Sequence, residues 1–276
     1  MLTEVNSLDW CHLDSNVGLI LLKWIYTGKV PHENLTLELM KAASSFQLLE
    51  LVEQCEKYLI GIVGLKDCVQ LYAAAEELGA QKLKEHCSSL ISVHWEDLTG
   101  EDFKEMPGSL LYKLLHTKSK YPLHAAVRLM REDVVFLYLV ENNAELSKAV
   151  NAVDNKGERA LEVALKTRQP SLARTLVEHG ADLNAKDLRG LSLLQAAILK
   201  GDSYSAEFII EQLENSGNIK KLCDFVKIEN TNSTNDIKGL EGCTALHLVT
   251  KHKSEDILAV GSKLLQAGID PNLQDQ

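Results

Sequence analysis

The stretch LEVALKTRQPSLARTLVEHGADLNAKD, from Leu161 to Asp187, decides the fold because its pattern returns near the end of the chain. The second copy, LHLVTKHKSEDILAVGSKLLQAGIDPNLQD, runs from Leu246 to Asp275. Each copy has a short apolar helix pattern, a longer one, and then Gly followed by Asp and Asn. A unit repeated in this way buries its apolar face against its neighbours. The pattern predicts an all-α solenoid that presents a surface to partners.

Four helix starts in this part of the chain share a short motif. They are Tyr121-Pro-Leu-His-Ala-Ala126, Arg159-Ala-Leu-Glu-Val-Ala164, Ser192-Leu-Leu-Gln-Ala-Ala197 and Thr244-Ala-Leu-His-Leu-Val249. The motif resembles the TPLHxA signature of ankyrin repeats, which recurs about every 33 residues. Here the starts at 121, 159, 192 and 244 lie 38, 33 and 52 residues apart.

The resemblance predicts an ankyrin region at 117–276 with short projecting turns between its helices. Its units are expected at about 121–158, 159–191, 192–243 and 244–276. A polar, turn-rich insertion at 215–242 accounts for the longest spacing. The last unit is expected to lack a terminal cap.

Four residues are expected to shape the helix ends of these units. The hydroxyl of Thr244 can cap a first helix by accepting a backbone hydrogen bond. Pro122 stands in a first turn, where the missing N–H costs no hydrogen bond. Gly180 and Gly268 follow second helices, where a left-handed residue ends a helix without steric penalty. All four are therefore interpreted as structural.

His124 and His247 occupy the histidine position of the motif. The ankyrin resemblance implies that both make hydrogen bonds between repeats, and a lone histidine lacks the partners that a catalytic site needs. Glu162 and Gln195 replace this histidine in the two middle units. We expect these units to lose part of the hydrogen-bond network and to depend on their neighbours for stability.

The turns that project between the repeats are the predicted contact sites for partners. The ankyrin resemblance, and not spacing alone, makes this assignment. The candidate residues are Asp154, Asn155, Lys156, Asp187, Leu188 and Arg189. Together with the first helices of the units, they are expected to bind other proteins.

Residues 1–62 contain a second recognisable pattern. The strings KWIYTGKV from Lys23 and LTLELMKAASSFQLLELVEQCEKYL from Leu35 have apolar residues at helical spacing. Gly28 is expected to end the first helix in a left-handed conformation. The strings resemble the C-terminal helices of a BTB (POZ) domain. The strands and the dimerisation helix of that family have no counterpart here, so we expect a truncated BTB part with exposed apolar surface.

Residues 63–116 resemble the BACK-type helical segment that commonly follows a BTB domain. The resemblance rests on CVQLYAAAEELG from Cys68 and AQKLKEHC from Ala80. Both strings have the apolar periodicity of amphipathic helices, so a packed helical bundle is expected.

Two further signals in this segment predict helix starts. Thr99 and Asp102 have the spacing of a capping box, which predicts a short helical segment that includes Phe103. Ser109 is then expected to cap a helix over 110–115.

The composition excludes several classes of function. The chain has 276 residues and a net charge of −10, with 29 basic residues, 39 acidic residues and no basic run, so no nucleic-acid partner is expected. Its six cysteines form no CxxC pair, which indicates a reduced intracellular protein. The N-terminal MLTEVNSLDW lacks the features of a signal peptide. The apolar run Val17–Leu22 is too short for direct membrane insertion.

No catalytic signature stands out in the sequence. GxSxG, HExxH, GxGxxG and P-loop motifs are all absent. Glu76 and Glu77 are adjacent carboxylates on a predicted helix surface, with nothing to place them in an apolar cleft. The cysteine–histidine neighbours at 11–12 and 86–87 cannot easily share a metal, because adjacent residues diverge around a helix. We therefore expect no enzyme activity, no catalytic residue, no metal site and no cofactor.

The order of BTB helices, BACK-like helices and ankyrin repeats is similar to that of the ankyrin repeat and FYVE domain-containing protein family of early-endosomal adaptors. The resemblance implies a scaffold that binds an early-endosomal Rab GTPase in its active form. It also implies action in endocytosis, macropinocytosis and endosomal transport, by a cytoplasmic protein held peripherally at early endosomes through partners.

The FYVE finger of that family, which binds zinc and reads phosphatidylinositol 3-phosphate, has no counterpart in this sequence. We therefore expect neither zinc nor this lipid to bind, and interpret the chain as a fragment or short form. The alternative function is a substrate receptor for a BTB-dependent cullin ubiquitin ligase, because BTB–BACK proteins often have this role. The missing BTB elements normally contribute to the cullin contact, so co-elution with a cullin is not expected.

Overall fold

The computed structural model shows a helical chain that divides into two compact units. It describes residues 13–142, 145–187, 189–218, 242–252 and 254–272. The first unit extends to Ser119 and the second begins at Lys120. Throughout these residues the regular structure is helical, apart from isolated bridges that pair Val153 with Arg159 and Lys186 with Ser192. The predicted all-α fold is confirmed.

The first unit is built from helices joined by turns and loops. Its α-helices are α1 (Ser15–Thr27), α2 (Leu37–Ser45), α3 (Leu49–Ile62), α4 (Cys68–Leu78), α5 (Gln81–Val93) and α6 (Gly108–Lys118). Short 3-10 helices lie at His32–Asn34 and Trp95–Asp97. Helix α2 packs against α3, and α4 packs against α5.

Helix α1 begins and ends through local chemistry. The carboxylate of Asp14 accepts hydrogen bonds from the backbone N–H groups of Asn16 and Val17, at 2.8 and 3.4 Å. Gly28 ends the helix at φ +66°, and its N–H donates to the carbonyl of Trp24 at 2.7 Å. Few residues other than glycine adopt this conformation without strain. The predicted helix end at Gly28 is therefore confirmed.

The core of the first unit is apolar, and a buried hydrogen bond links two of its helices. Leu51 and Leu83 are completely buried. The carboxylate of Glu56, itself buried, accepts the backbone N–H of Leu83 at 3.0 Å and so connects α3 to the first turn of α5. Burial raises the pKa of the Cys55 thiol to about 11 and that of Cys87 to about 12. These thiols therefore stay protonated and act as small apolar side chains.

Helix α1 also exposes apolar side chains, as the sequence predicts for this part of the chain. Leu19, Ile25 and Tyr26 are 66%, 53% and 85% exposed among the described residues. Their spacing places them along one side of the helix.

The two helix-start signals near residue 100 do not act as predicted. The Asp102 carboxylate accepts the backbone N–H and the hydroxyl of Thr99, at 2.7 and 2.8 Å, but these bonds close a turn and no helix follows until Gly108. Pro107 restricts the residue before it and favours an extended chain, which stops a helix from forming there. Because α6 starts at Gly108, Ser109 lies inside its first turn and is not its cap.

The described residues of the second unit form four pairs of helices and one additional short helix. Its helices are α7 (Pro122–Arg128), α8 (Glu132–Glu141), α9 (Leu146–Val150), α10 (Ala160–Lys166), α11 (Pro170–Glu178), α12 (Leu193–Lys200), α13 (Ser203–Asn215), α14 (Ala245–Lys251) and α15 (Glu255–Gln266). The first helices contact one another between neighbouring pairs, α7 with α10 and α12 with α14. The short helix α9, five residues long, lies in the unit that the sequence shows to be about five residues too long. Most of the predicted insertion at 215–242 lies outside the described residues.

Helices α14 and α15 approach each other closely at Gly261. A Cβ atom added to Gly261 would lie 2.9 Å from Cγ1 of Val249. That distance is shorter than carbon atoms tolerate, so the packing of this pair requires glycine at this position.

In the first three repeats, the turn between the two helices contains a residue in the left-handed conformation. Gly201 has φ +72° in the turn from α12 to α13, and Met130 and Arg168 have φ of 56° and 54° in the two preceding turns. A residue with a Cβ is strained in this region. In two of these three turns, a residue with a Cβ atom therefore occupies a backbone conformation that glycine would adopt with less strain.

Candidate protein-binding face

The candidate site is the face formed by the first helices of the repeats and the turns that precede them. We name the turns at 151–159 and 184–192 the first and second fingers. The inner face consists of these two fingers together with α7, α10, α12 and α14.

An aspartate carboxylate shapes the first finger. Oδ1 of Asp154 accepts the backbone N–H groups of Lys156 and Glu158, at 2.8 and 2.9 Å. The backbone N–H of Asp154 donates to the carbonyl of Glu158 at 2.9 Å. An Asp side chain that satisfies N–H groups two and four residues ahead holds a tight turn in one conformation.

The second finger repeats this arrangement 33 residues farther along the chain. Oδ1 of Asp187 accepts the backbone N–H groups of Arg189 and Leu191, at 2.9 and 3.0 Å. The backbone N–H of Asp187 donates to the carbonyl of Leu191 at 2.9 Å. Both aspartates therefore serve the backbone of their own finger.

The predicted contact residues divide into two groups. Asp154 is buried and its carboxylate is used internally, whereas Asn155 and Lys156 are exposed at the tip of the first finger. In the second finger, the guanidinium of Arg189 is 2.7 Å from the carboxylate of Asp187. Leu188 lies outside the described residues.

Charged side chains from the preceding repeat reach the first finger. The guanidinium of Arg128, at the end of α7, donates to Oδ2 of Asp154 and lies 3.8 Å from the carboxylate of Glu158. Burial opposes ionisation of Asp154, but the N–H groups of Glu158 and Lys156 and the Arg128 guanidinium outweigh it and lower the pKa of Asp154 to about 2. The carboxylate is therefore ionised at every pH at which the protein is normally studied.

His124 joins the same connection from α7. Its Nε2 lies 3.0 Å from the carbonyl oxygen of Glu158. A carbonyl oxygen only accepts, so Nε2 carries the proton. Burial lowers the pKa of the His124 imidazole, opposed by the nearby Asp154 carboxylate, and thus favours the neutral ring.

The equivalent positions in the later units form bonds within their own helices. Nδ1 of His247 accepts the backbone N–H of Thr244 at 3.2 Å and lies 2.8 Å from its hydroxyl. Gln195, almost completely buried, accepts the N–H of Ser192 at 2.9 Å, while the Ser192 hydroxyl accepts the N–H of Gln195 at 3.3 Å. This capping box shows that Gln195 replaces the motif histidine without losing a bond at the helix start.

Glu162 stands at the histidine position of the motif in α10 and forms an ion pair there. Its carboxylate is 3.2 Å from the guanidinium of Arg159, which also donates to the carbonyl of Lys186 in the second finger at 3.1 Å. Burial raises the pKa of Glu162, and the charges of Arg159 and, more weakly, Lys200 oppose this shift. Arg159 therefore connects the two fingers, in the unit where the sequence predicts a lost connection.

Helices α10 and α12, the second finger and the start of α13 line an open cavity of about 160 Å³ on the inner face. Most of its lining is apolar. It includes Leu165, Ala185, Leu191, Leu193, Ala197 and Ile209. Lys166 and Lys200, which end α10 and α12, border the same cavity.

The sequence contains a signal on this face that motif matching misses. Each first helix ends in a basic residue. These residues are Arg128, Lys166, Lys200 and Lys251. They stand seven or eight residues after the motif starts at 121, 159, 192 and 244. At the C-terminus of a helix, a cation interacts favourably with the negative end of the helix dipole.

Neither a metal site nor a membrane span is found among the described residues. No group of three or more His, Cys, Asp and Glu side chains is arranged to hold an ion. No helix in these parts of the chain is both long enough and apolar enough to cross a bilayer.

Family models match both units of the chain. A model of three ankyrin repeats matches residues 71–187, and a single ankyrin-repeat model matches residues 241–276. The BTB/POZ domain model matches residues 3–63. The first ankyrin match begins within α4, inside the segment for which the sequence predicts BACK-like helices.

Two relatives align with nearly the whole chain. It is 38% identical to Rabankyrin-5 from Homo sapiens and 37% identical to Rabankyrin-5 from Mus musculus, each over 285 aligned residues. Both alignments cover 99% of this chain and 23% of the relative, so the chain spans about a quarter of the length of these relatives.

A solved ankyrin repeat domain from Acinetobacter baumannii is 24% identical to the chain. The superposition covers 57% of this chain and 86% of the bacterial domain, with a TM-score of 0.30. The ankyrin assignment therefore rests on the sequence models and not on this superposition.

Proposed function

We propose that this chain, a BTB- and ankyrin-repeat relative of Rabankyrin-5, is a non-enzymatic scaffold that binds other proteins through its inner face. More specifically, we propose that it is an early-endosomal adaptor and an effector of a Rab GTPase, acting in endocytosis, macropinocytosis and endosomal transport. It would work in the cytoplasm and reach early endosomes through its partners. The observation that carries the proposal is the alignment with Rabankyrin-5, which covers 99% of the chain.

The geometry of the fingers supports a binding role. Asp154 and Asp187 hold the two turns through backbone hydrogen bonds, so the tips are ordered before a partner arrives. A preorganised surface loses less conformational entropy on binding. Asn155 and Lys156 are exposed on such a tip and are the first residues that we expect a partner to contact.

The proposal assigns no catalytic step, metal, cofactor or lipid ligand to this chain. Zinc and phosphatidylinositol 3-phosphate would need the FYVE finger of the family. Neither the described geometry nor the names of the relatives favours the cullin-receptor alternative.

The proposal is tested by binding of the purified chain to a purified early-endosomal Rab GTPase. The GTPase is loaded either with a non-hydrolysable GTP analogue or with GDP, and the two dissociation constants are measured by biolayer interferometry. An effector reads the active conformation, so we expect the GTP-analogue form to bind at least about tenfold more tightly, which is a free-energy difference of about 1.4 kcal/mol. Equal binding of both forms, or none, contradicts the Rab-effector proposal.

Finger variants locate the contact. The double variant Asn155→Ala/Lys156→Glu should weaken binding without affecting the fold, because both side chains are exposed. The control Gln54→Ala/Lys57→Glu changes the same kinds of side chain on α3 of the first unit. Equal losses in the two variants would remove the assignment of binding to the inner face.

A further inference from the structure

The charges of the second unit are divided between its two sets of helices. The inner face carries eight basic and four acidic side chains. The second helices of the repeats, α8, α11, α13 and α15, carry two basic and nine acidic side chains. The inner face is therefore positive in a chain whose net charge is −10.

Every acidic side chain of the inner face is paired with a basic side chain of the same face. The pairs are Asp154–Arg128, Glu158–Lys166, Glu162–Arg159 and Asp187–Arg189. These four pairs leave four lysines as the excess charge. They are Lys156, Lys186, Lys200 and Lys251.

Three of these lysines have no carboxylate partner in the described part of the chain. No described acidic oxygen lies within 4.0 Å of the ammonium of Lys156, Lys186 or Lys200, and all three residues are exposed. Lys251 differs, since its ammonium lies 3.1 Å from Sγ of Cys243. The lysines without a close carboxylate partner thus lie along the fingers and at the end of α12.

The apolar cavity lies beside this charge. Lys200 borders it, and its volume of about 160 Å³ is close to that of an engineered apolar cavity that accepts benzene. Three carboxylates also line it, but each already has partners: Glu162 pairs with Arg159, Asp187 pairs with Arg189, and Asp202 accepts the N–H and the hydroxyl of Ser205 at 3.2 and 2.5 Å. An apolar side chain can therefore enter next to a lysine that has no described carboxylate oxygen within 4.0 Å.

We propose that the inner face binds an acidic polypeptide segment. Carboxylates of the segment contact Lys156, Lys186 and Lys200, and one apolar side chain of the segment occupies the cavity between α10 and α12. This inference rests on the proposed function, since it takes the inner face as the contact surface and adds the chemistry of the partner. A nucleic acid would use the lysines but would gain nothing from an apolar cavity, and the acidic second helices would repel it.

The test uses the full chain and short labelled peptides. The probe is a fluorescein-labelled peptide DEDLEDE, compared with DEDAEDE, which lacks the apolar side chain, and with KRKLKRK, which reverses the charge. Binding is followed by fluorescence anisotropy at low and high NaCl. We expect DEDLEDE to bind about fivefold or more tightly than DEDAEDE, to weaken as salt screens the charges, and KRKLKRK not to compete. Equal binding of DEDLEDE and DEDAEDE overturns the role of the cavity.

Matched lysine variants test the charge. The triple variant Lys156→Glu/Lys186→Glu/Lys200→Glu should weaken DEDLEDE binding about tenfold or more, since three close contacts become repulsive. The control Lys41→Glu/Lys57→Glu/Lys82→Glu makes the same change of net charge at exposed positions of the first unit and should shift binding less than about twofold. Equal weakening by both triples contradicts the proposal. Circular dichroism confirms that each variant is folded, and single reversals replace any triple that is not.

Other anionic partners are outcomes of the same experiment. Vesicles containing phosphatidylserine and a single-stranded oligonucleotide are titrated in place of the peptide. If either binds as tightly as DEDLEDE and depends equally on the three lysines, the acidic-polypeptide assignment is wrong. A chain that binds the Rab GTPase but not DEDLEDE refutes only this inference. A chain that binds DEDLEDE through the lysines but shows no nucleotide-dependent Rab binding refutes only the Rab-effector function.

Discussion

The two fingers have the same backbone turn but different attachments to the repeats around them. In the first finger, Arg128 and His124 reach across from α7 to Asp154 and to the carbonyl of Glu158. In the second finger, Asp187 pairs with Arg189 of the same turn. The first finger is thus joined to the preceding repeat by the Arg128 guanidinium and the His124 ring, both acting on groups of the finger. The second finger is joined to the preceding repeat through Arg159, which donates to the carbonyl of Lys186 at 3.1 Å, while its aspartate pairs within the turn.

This difference separates the shape of a turn from its coupling to the array. An aspartate that accepts two N–H groups makes the shape in both fingers. The coupling of a finger to the preceding repeat depends on which cation lies near Oδ2 of its aspartate. That cation is Arg128 of α7 in the first finger and Arg189 of the same turn in the second. In a repeat array, stability combines that of each unit with that of its interfaces. The aspartate of the first finger takes part in an interface directly, whereas the second finger takes part through a backbone carbonyl that accepts from Arg159.

Removing the two aspartates should give the largest contrast. Asp154→Ala should lower the free energy of unfolding by about 3 kcal/mol, because two backbone N–H groups lose their acceptor and Arg128 loses its carboxylate. Asp187→Ala should cost about half as much, since Arg189 can turn to water. Urea denaturation followed by circular dichroism measures both, with Glu214→Ala as an exposed control. Similar losses in the two fingers would show that the attachment to α7 adds nothing.

Removing the motif histidines should give the next largest effect. His124→Ala should cost about 2 kcal/mol, because it leaves a cavity and an unsatisfied carbonyl at the first finger. His247→Ala should cost about 1 kcal/mol, since the ring is less buried and bonds within its own helix start. Thermal unfolding of both variants provides the comparison. A larger loss for His247→Ala would reverse the ranking of the two sites.

Acid should weaken the connection at the first finger. The folded-state pKa of Asp154 is about 2, below its ordinary value of 3.8, so its contribution to stability is present above pH 4 and is lost as the pH falls toward 2. The stability advantage of the natural chain over Asp154→Asn should therefore shrink by about 1 kcal/mol between pH 6 and pH 3. Urea titrations at the two pH values measure it. An advantage that stays constant would mean that the carboxylate is not held in its ionised form.

The smallest effect is expected from changes in the turn that joins α7 to α8. Met130 is exposed and has φ 56°, so Met130→Gly should stabilise the chain by about 0.5 kcal/mol through relief of strain. Gly201 occupies the equivalent turn after α12, and a Cβ there would lie 3.3 Å from the ring of His252. Gly201→Ala should therefore destabilise the chain. We expect the melting temperature to rise in Met130→Gly and to fall in Gly201→Ala. A lower melting temperature for Met130→Gly would show that the methionine side chain contributes packing.

Much of the helical architecture could be predicted because it depends on neighbours in sequence. The left-handed helix ends at Gly28, Gly180 and Gly268 follow from the freedom of glycine. The short pairs of apolar patterns became the helix pairs of the second unit. The failures are also local: Thr99 and Asp102 formed their hydrogen bonds but closed a turn, since a capping signal does not show whether enough apolar residues follow for a helix to propagate.

The candidate site could be predicted only in part. The motif located both fingers, yet Asp154 proved to be an internal residue of its turn, because a sequence does not show which carboxylate is buried. The basic residues that end the first helices stand seven or eight positions after each motif start in the sequence, but their importance depends on which of them is paired. Lys166 lies against Glu158, while Lys200 borders an apolar cavity without a described carboxylate partner.

The amino-acid sequence was sufficient for the repeat, its helix ends and its ankyrin and BTB character, because periodicity, glycine and capping residues act over a few positions. The pairings between repeats, such as Arg128 with Asp154 and His124 with Glu158, required the folded chain. These contacts join residues more than 20 positions apart in sequence, and a hydrogen bond weakens steeply when its atoms shift by a few tenths of an ångström. Such distances are properties of the packed helices, so the connections of the fingers and the lysines of the inner face that lack a close carboxylate partner emerge only from the tertiary structure.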